Sequence, residues 1–466
     1  MRLSHTAPVA AAHFDDPNLV SAAGLVPVMR LAAGAGLGEL AGGLLSVATD
    51  KGANPGGKVT ALVCAMVAGA DSIDDMALLR HGAMGKLFDR SYAPSTLGSF
   101  LRAFTFGHVR QLDAVAARFL INLSASAPQV PNGTGARVLV DVDDTIIEVH
   151  GHAKQGAGFG YSGVRGLNAL IATATTAGAA PVVVAQRLRK GSCGSPRGAK
   201  RLVADALKTV SKLHAVAGKP LLRADSAFYG APTVGAAVRG GAQVSVTVRL
   251  DPKVKAAIAA IGVDAWTPIE YTDAIFDQVS GTWVSRAEVA EVPFTAFSSK
   301  KATEQVPGRL VVRRIPDLNP RGKDGQDALF DTWRFHAFFT TTDPADLDTV
   351  AADKTHRGHA IIEQVHADLK NSALAHLPSG KFTANAAWLV LAVIAFNLTR
   401  TAATITGTDI ARATTATVRR KLIAVPARVA SSARRITLHL PTDWPWEAAW
   451  TCLFHHNCGP PTPATT

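Results

Sequence analysis

Cysteine is scarce in this chain: four in 466 residues, at positions 64, 193, 452 and 458. So few, so far apart, they exclude a disulfide framework and predict a reducing compartment. The tail "CLFHHNC" gathers Cys452, His455, His456 and Cys458, at a spacing that matches no common zinc pattern. Acid is scarce too. Thirty-six Asp and Glu face 48 Lys and Arg, a formal charge of +12, which points to a polyanionic partner, nucleic acid first. Long apolar runs are missing: "AAWLVLAVIAF", the longest, falls short of the roughly 20 residues a bilayer needs. The opening "MRLSHTAPVAAAHFDD" has no apolar core of the kind a signal peptide carries. A cytoplasmic chain with no membrane partner is expected. No internal repeat is present. What remains, 47% apolar and 18% charged residues, describes a folded protein of two or three domains.

Residues 1–125 read as mostly helical. "SIDDMALLR" has a Ser cap with acids in the first turn, and "APSTLGSFLRAF" followed by "HVRQLDAVAARFLINL" reads as two successive helices. Ser95 and Thr96 would start the first of these, either as a small helix-turn-helix or as part of a plain bundle. "SASAPQVPNGTGA" is a linker. Over 135–249 the pattern is strand, strand, strand, helix, strand, helix, strand, with a hairpin at "TAG" between the second and third strands. Residues 250–345 are β-rich, 346–405 return to helix, and 406–466 form a basic tail.

The stretch "VLVDVDDTIIEVHG" carries the densest chemistry. Val138, Val140 and Val142 fall on one side of an extended chain, and Leu139, Asp141 and Asp143 on the other. Carboxylates are poor strand formers and costly to bury alone. Asp144 and Thr145 could simply end the strand as a turn. The sharper reading is a divalent metal site, since hard cations take carboxylate oxygens. Asp225 closes a later strand in "LLRADSAFYG". On a helix over 356–370, His356, His359, Glu363, His366 and Lys370 share one stripe, opposite Ile361, Ile362, Val365 and Leu369. Glu363 sits mid-stripe, among cations suited to a phosphate backbone.

These three segments together resemble the acid-bearing motifs of bacterial insertion-sequence DDE transposases. The likeness is to the insertion sequence 1380 group within the insertion sequence 4-like class, and it spans most of the chain. It implies a ribonuclease H-like α/β fold: a mixed sheet flanked by helices, with a β-rich insertion and an all-helical N-terminal DNA-binding region. It also implies a triad of Asp143, Asp225 and Glu363 holding Mg²⁺ (Mn²⁺ as substitute), with Asp141 as a further ligand. Double-stranded DNA would be the partner and a homodimer the assembly. Lys370 follows Glu363 after six intervening residues, as in that class, but the positions usually held by Tyr and Arg carry His356 and His359, with Arg357 close by.

Such a site suits phosphodiester cleavage, then attack of the freed 3′-OH on target DNA, with two metal ions sharing the carboxylates. Lys370, His356, His359 and Arg357 would face DNA. So would the basic stripe from Arg187 to Arg223, which includes Arg189, Lys190, Arg197, Lys200 and Arg201. Two rivals stand beside this reading. "VDVDDT" also fits a haloacid dehalogenase-like phosphatase with Asp141 as nucleophile. A transposase remnant that binds DNA without cutting it is the other.

Overall fold

A computed structural model describes residues 11–48, 50–89, 91–127, 137–176, 179–213, 218–277, 282–316, 333–407, 409–432 and 435–459. Most of the linker expected at 124–136, and residues 177–178 of the expected "TAG" turn, lie outside the described residues.

In chain order, β1 (Leu19–Val20) precedes a run of helices that ends with Phe106–Ser126. Then come β2 (Leu139–Glu148), β3 (Gly158–Phe159), β4 (Arg165–Thr176) and β5 (Ala179–Lys190). Helix Ala199–Val210 leads to β6 (Leu221–Ala224), and helix Ala231–Arg239 to β7 (Gln243–Thr247). Four longer strands follow: β8 (Thr267–Asp277), β9 (Thr282–Ala296), β10 (Val306–Pro316) and β11 (Trp333–Thr340). Helices Thr349–Arg357, Ile361–Lys370 and Phe382–Ile405 come next. β12 (Ala427–Ser432), β13 (Arg435–His439) and helix Glu447–Cys458 complete the described chain.

One mixed sheet organises this series, with β2 inside it between β4 and β6. β4 lies antiparallel on one side of β2, with β5 beyond it. β6 and then β7 lie parallel on the other side. The predicted strand and helix order over 135–249 is therefore present, apart from the two-residue β3. The strands of 267–340 do not form a body of their own. β11 joins β7 antiparallel, and β10, β9 and β8 extend the same sheet.

The alternation read in the sequence sorts β2 between two layers. Val138, Val140 and Val142 are fully buried against Leu202, Val203 and Ala206 of helix Ala199–Val210. On the other face, Ile147 joins a core with Val365, Leu369 and the helix Phe382–Ile405. That helix has 24 residues and is long and apolar enough to cross a membrane, but 89% of its apolar window is buried in the protein. Its Asn397 side chain accepts from the Val183 N–H at 2.9 Å and donates to the Val183 carbonyl at 2.8 Å, so β5 is hydrogen-bonded along its free edge.

Several expectations need correction. β2 does not turn at Asp144 and Thr145 but runs on to Glu148, because β4 pairs it along its whole length. The segment 356–370 is not one α-helix: a 3₁₀ turn at Gly358–Ala360 interrupts it, and a Cβ at Gly358 would stand 2.8 Å from the Arg223 guanidinium. Ser95 and Thr96 do not cap their helix. Pro94 starts it, and Ala93 is the residue before. The last 60 residues are no trailing tail, since β12 pairs with β1 and helix Glu447–Cys458 packs on the N-terminal helices.

Candidate active site

Parallel pairing places the acids. Asp141 of β2 lies beside Arg223 of β6, and Val142 beside Ala224. One residue further, the same register brings Asp143 next to Asp225, which continues β6 in extended conformation (φ −76°, ψ 179°). A D-x-D strand and an R-x-D strand thus meet in step.

The first pair is closed. Asp141 is fully buried, and both of its oxygens accept from the Arg223 guanidinium at 2.7 Å. Arg223, 2% exposed, also donates to the Thr355 carbonyl, and His359 Nδ1 lies 2.9 Å from Asp141 Oδ1. With both oxygens bound to Arg223 and the carboxylate sealed from solvent, Asp141 is not open to a metal. The expectation of Asp141 as a metal ligand is corrected: it is an anchor joining β2, β6 and the start of the Glu363 segment. The same enclosure argues against Asp141 as a phosphatase nucleophile, because no phosphoester can reach it.

The second pair is open. Asp143 takes one short bond from the Asp144 N–H (2.7 Å), and Asp225 takes one from the Ala227 N–H (2.9 Å). Among the described residues neither has a Lys or Arg partner. Burial pushes Asp143 up to about 6, and the Asp225 carboxylate adds to the rise. Burial raises Asp225 as well, partly offset by backbone bonds and by His359. A part-buried and an exposed carboxylate side by side, both raised in pKa, are suited to a hard cation.

Glu363 lies in the first turn of helix Ile361–Lys370 and is exposed. His359 stands one turn before it against Asp141, and His366 one turn after it, 3.7 Å from Asp143. Burial and then Lys370 hold His366 down to about 4, so it is a neutral neighbour of Asp143 rather than an ion-pair partner. Among the described residues, no group of three or more His, Cys, Asp or Glu is arranged to hold a metal ion. That applies to Asp143, Asp225 and Glu363 together, and equally to Cys452, His455, His456 and Cys458, which lie along one helix.

The expected DNA-facing residues divide in the same way. His356 does not face outward: it stacks on Phe338 at 4.1 Å and shares hydrogen bonds with the Ser245 and Thr247 hydroxyls. Burial holds it at about 3, hence neutral. Arg357 pairs with Asp353 at 2.9 Å. Arg189 is buried, bonding Asp144 at 2.8 Å and Asn168 on the face of the sheet opposite Asp143. Arg187 and Arg201 both reach Asp205, at 3.2 and 3.7 Å. Lys190, Arg197, Lys200 and Arg201 are exposed. Lys370 is half-buried, which lowers its pKa. The sequence reading missed the role of Arg223, although its signal was present: an Arg two residues before Asp225 mirrors Asp141 two residues before Asp143.

Comparison with known proteins decides the family. The model of the transposase DDE domain, group 1, matches residues 4–456. The chain belongs to the DDE transposases. Among curated proteins none matches it. A similar solved structure is the piggyBac transposase synaptic complex with hairpin DNA, at 10% identity and a TM-score of 0.42, covering 79% of this chain and 70% of that one. As a member of this family the transposase acts on DNA, and its relatives generally use divalent metals. The donor set agrees with that use at two points, Asp143 and Asp225, which are hard, anionic and close together.

Proposed function

We propose that this transposase is of the insertion sequence 1380 group, within the insertion sequence 4-like class, and has a ribonuclease H-like core. It cuts the ends of its element and joins the freed 3′-OH to target DNA. Asp143, Asp225 and Glu363 hold the divalent metal, Mg²⁺ or in its place Mn²⁺. The observation that carries this reading is the pair Asp143 and Asp225, side by side where β6 ends against β2, raised in pKa and without a Lys or Arg partner among the described residues. The placement of Glu363 between two histidines that touch the acids of β2 supports its place as third ligand. Bound metal supplies activation of the attacking oxygen and relief of phosphate charge.

The chain's own residues do the rest. The Asp141–Arg223 anchor keeps the two acid strands in step and ties them to the Thr355–His359 segment. Lys370, at the far end of the Glu363 helix, faces the DNA backbone. Exposed Lys190, Arg197, Lys200 and Arg201 hold flanking phosphates. The N-terminal helices read the element's ends, a homodimer pairs two ends, and the reaction takes place in the cytoplasm.

The test uses the full chain on duplexes carrying the inverted repeats that flank its gene. Asp143→Ala, Asp225→Ala and Glu363→Ala each abolish Mg²⁺-dependent cleavage and leave DNA binding near the parental level. Cleavage at near parental rate by any one of them removes that residue from the triad. Binding with no cutting by the parental protein, in Mg²⁺ and EDTA alike, selects the remnant reading.

A further inference from the structure

β3 and the start of β4 form a hairpin with two aromatic side chains in solvent. Gly158 and Phe159 pair with Gly166 and Arg165, and the Gly163 N–H closes the turn onto the Gly160 carbonyl at 3.1 Å. Phe159 is 66% exposed and Tyr161 110%, with Val164 at 37% beside them.

The base of the hairpin is held firmly. Gly191 packs so closely that a Cβ would stand 2.0 Å from the Gly166 carbonyl and 2.4 Å from that of Gly158. The Arg165 guanidinium donates to the carbonyls of Val149, Gly151 and His152 at 3.0–3.2 Å. A backbone so fixed holds its two largest apolar side chains in water, open to a partner. The partner's charge is indicated nearby: Lys190 ends β5 opposite Leu167, and Arg197 and Lys200 follow, all exposed.

The hairpin also stands at the acid end of the sheet. Glu148 of β2 pairs with Gly166, five residues beyond Asp143. Ile171 pairs with Asp143 and Arg165 with Phe159, six residues apart on β4, so at about 3.3 Å per residue Phe159 lies roughly 20 Å from Asp143 and Tyr161 somewhat further. That is about six base steps at 3.4 Å each.

We propose that this hairpin is an aromatic wedge: Phe159 and Tyr161 stack on DNA bases about six steps from the phosphate that is cut, while the neighbouring lysines and arginine hold the backbone. The proposal rests on the transposase reading and deepens it. Exposed aromatics take bases of any sequence by their π faces, and apolar side chains that enter a base step favour sites where the step is already open.

The experiment uses the full chain in Ca²⁺ with two 30-base-pair probes, a plain duplex and the same duplex with a central two-base mismatch, each bearing 2-aminopurine next to the centre. The wild type binds the mismatched probe about tenfold more tightly and changes the 2-aminopurine signal. Phe159→Ala with Tyr161→Ala loses both effects and keeps the salt dependence of plain-duplex binding. Lys190→Ala with Lys200→Ala lowers that salt dependence and keeps the mismatch preference. Both pairs are on the surface, and an unchanged melting temperature confirms the fold. Binding without mismatch preference in the wild type, or a preference that survives Phe159→Ala with Tyr161→Ala, overturns the wedge alone. A wild type that binds neither probe overturns the transposase reading and the wedge with it.

Discussion

Replacing Asp141 with alanine separates an anchor from a metal ligand. Asp141 is fully buried and takes two 2.7 Å bonds from Arg223, itself 2% exposed, with His359 a further 2.9 Å contact. Without the carboxylate, a guanidinium remains in the interior with its bond to the Thr355 carbonyl. Breaking a buried ion pair from one side costs about 3–5 kcal/mol. The lost bond to His359 adds about 1 kcal/mol. The total, about 4–6 kcal/mol, is comparable to the whole stability of many domains, about 5–15 kcal/mol. In a thermal melt of a 466-residue chain it corresponds to a fall of about 4–6 °C.

The assay is a melt of the full chain in EDTA and in Mg²⁺. Asp141→Ala should melt below the parent in both. Asp141→Leu with Arg223→Met removes both charges and should recover most of the loss, because a buried pair replaced by apolar side chains is close to neutral. A metal ligand behaves in the opposite sense. Its removal leaves the EDTA melt unchanged or raises it, and only the gain from Mg²⁺ disappears. An unchanged EDTA melt for Asp141→Ala would refute the anchor.

Three further outcomes follow from the same geometry. Asp143 is held at about 6, above the ordinary value for an unfolded Asp, so the folded chain keeps a proton that the unfolded chain has released, and stability falls as pH rises from about 4 to 6. Asp143→Asn should therefore melt like the parent at pH 4 and be more stable by about 2–3 kcal/mol at pH 7.5 in EDTA; equal melts at pH 7.5 would count against the strained pair. His356→Ala removes a stack on Phe338 and two hydroxyl bonds, and should cost about 2–4 kcal/mol while leaving the salt slope of DNA binding unchanged; a slope lower by about 1 would put the imidazole on a phosphate. Asn397→Ala leaves the buried N–H and carbonyl of Val183 without their side-chain partner, at a cost of about 2–4 kcal/mol, and should speed hydrogen exchange at Val183; unchanged exchange would mean the β5 edge is held by other contacts.

Much of the fold was legible because period and charge agree. Valines at 138, 140 and 142 face one layer, acids at 141 and 143 the other, and β2 obeys that alternation. The order of elements over 135–249 was legible for the same reason. What was not legible was how far each pairing extends. Asp144 and Thr145 look like a turn, but β4 carries β2 through to Glu148, and Arg189 and Asn168 satisfy Asp144 on the opposite face. Helical projection placed His356 on an outward stripe, yet the 3₁₀ turn at Gly358–Ala360 changes the residues per turn, and Ser245, Thr247 and Phe338 enclose His356. A cation's partner is likewise a tertiary fact: no local pattern ties Arg187 to Asp205, and only the matched spacing of Asp141–Asp143 and Arg223–Asp225 hints at the second pair.

The anchor also explains why the open carboxylates can persist. Side chains on one face of a strand recur every second residue, so the nearest slip that keeps Asp143 on its face is two residues. Such a slip would set Asp143 beside Arg223, neutralise it, and leave Asp225 beyond the pair. Electrostatics taken at that position alone favours the slipped register, since it exchanges a repulsive neighbour for an attractive one. Asp141 removes the incentive by occupying Arg223 with both oxygens in the interior, where an ion pair broken from one side is most costly. A buried neutral pair therefore holds an anionic pair next to it, and the charge that the fold leaves without a Lys or Arg partner among the described residues stays at Asp143 and Asp225, the two acids proposed to hold the metal.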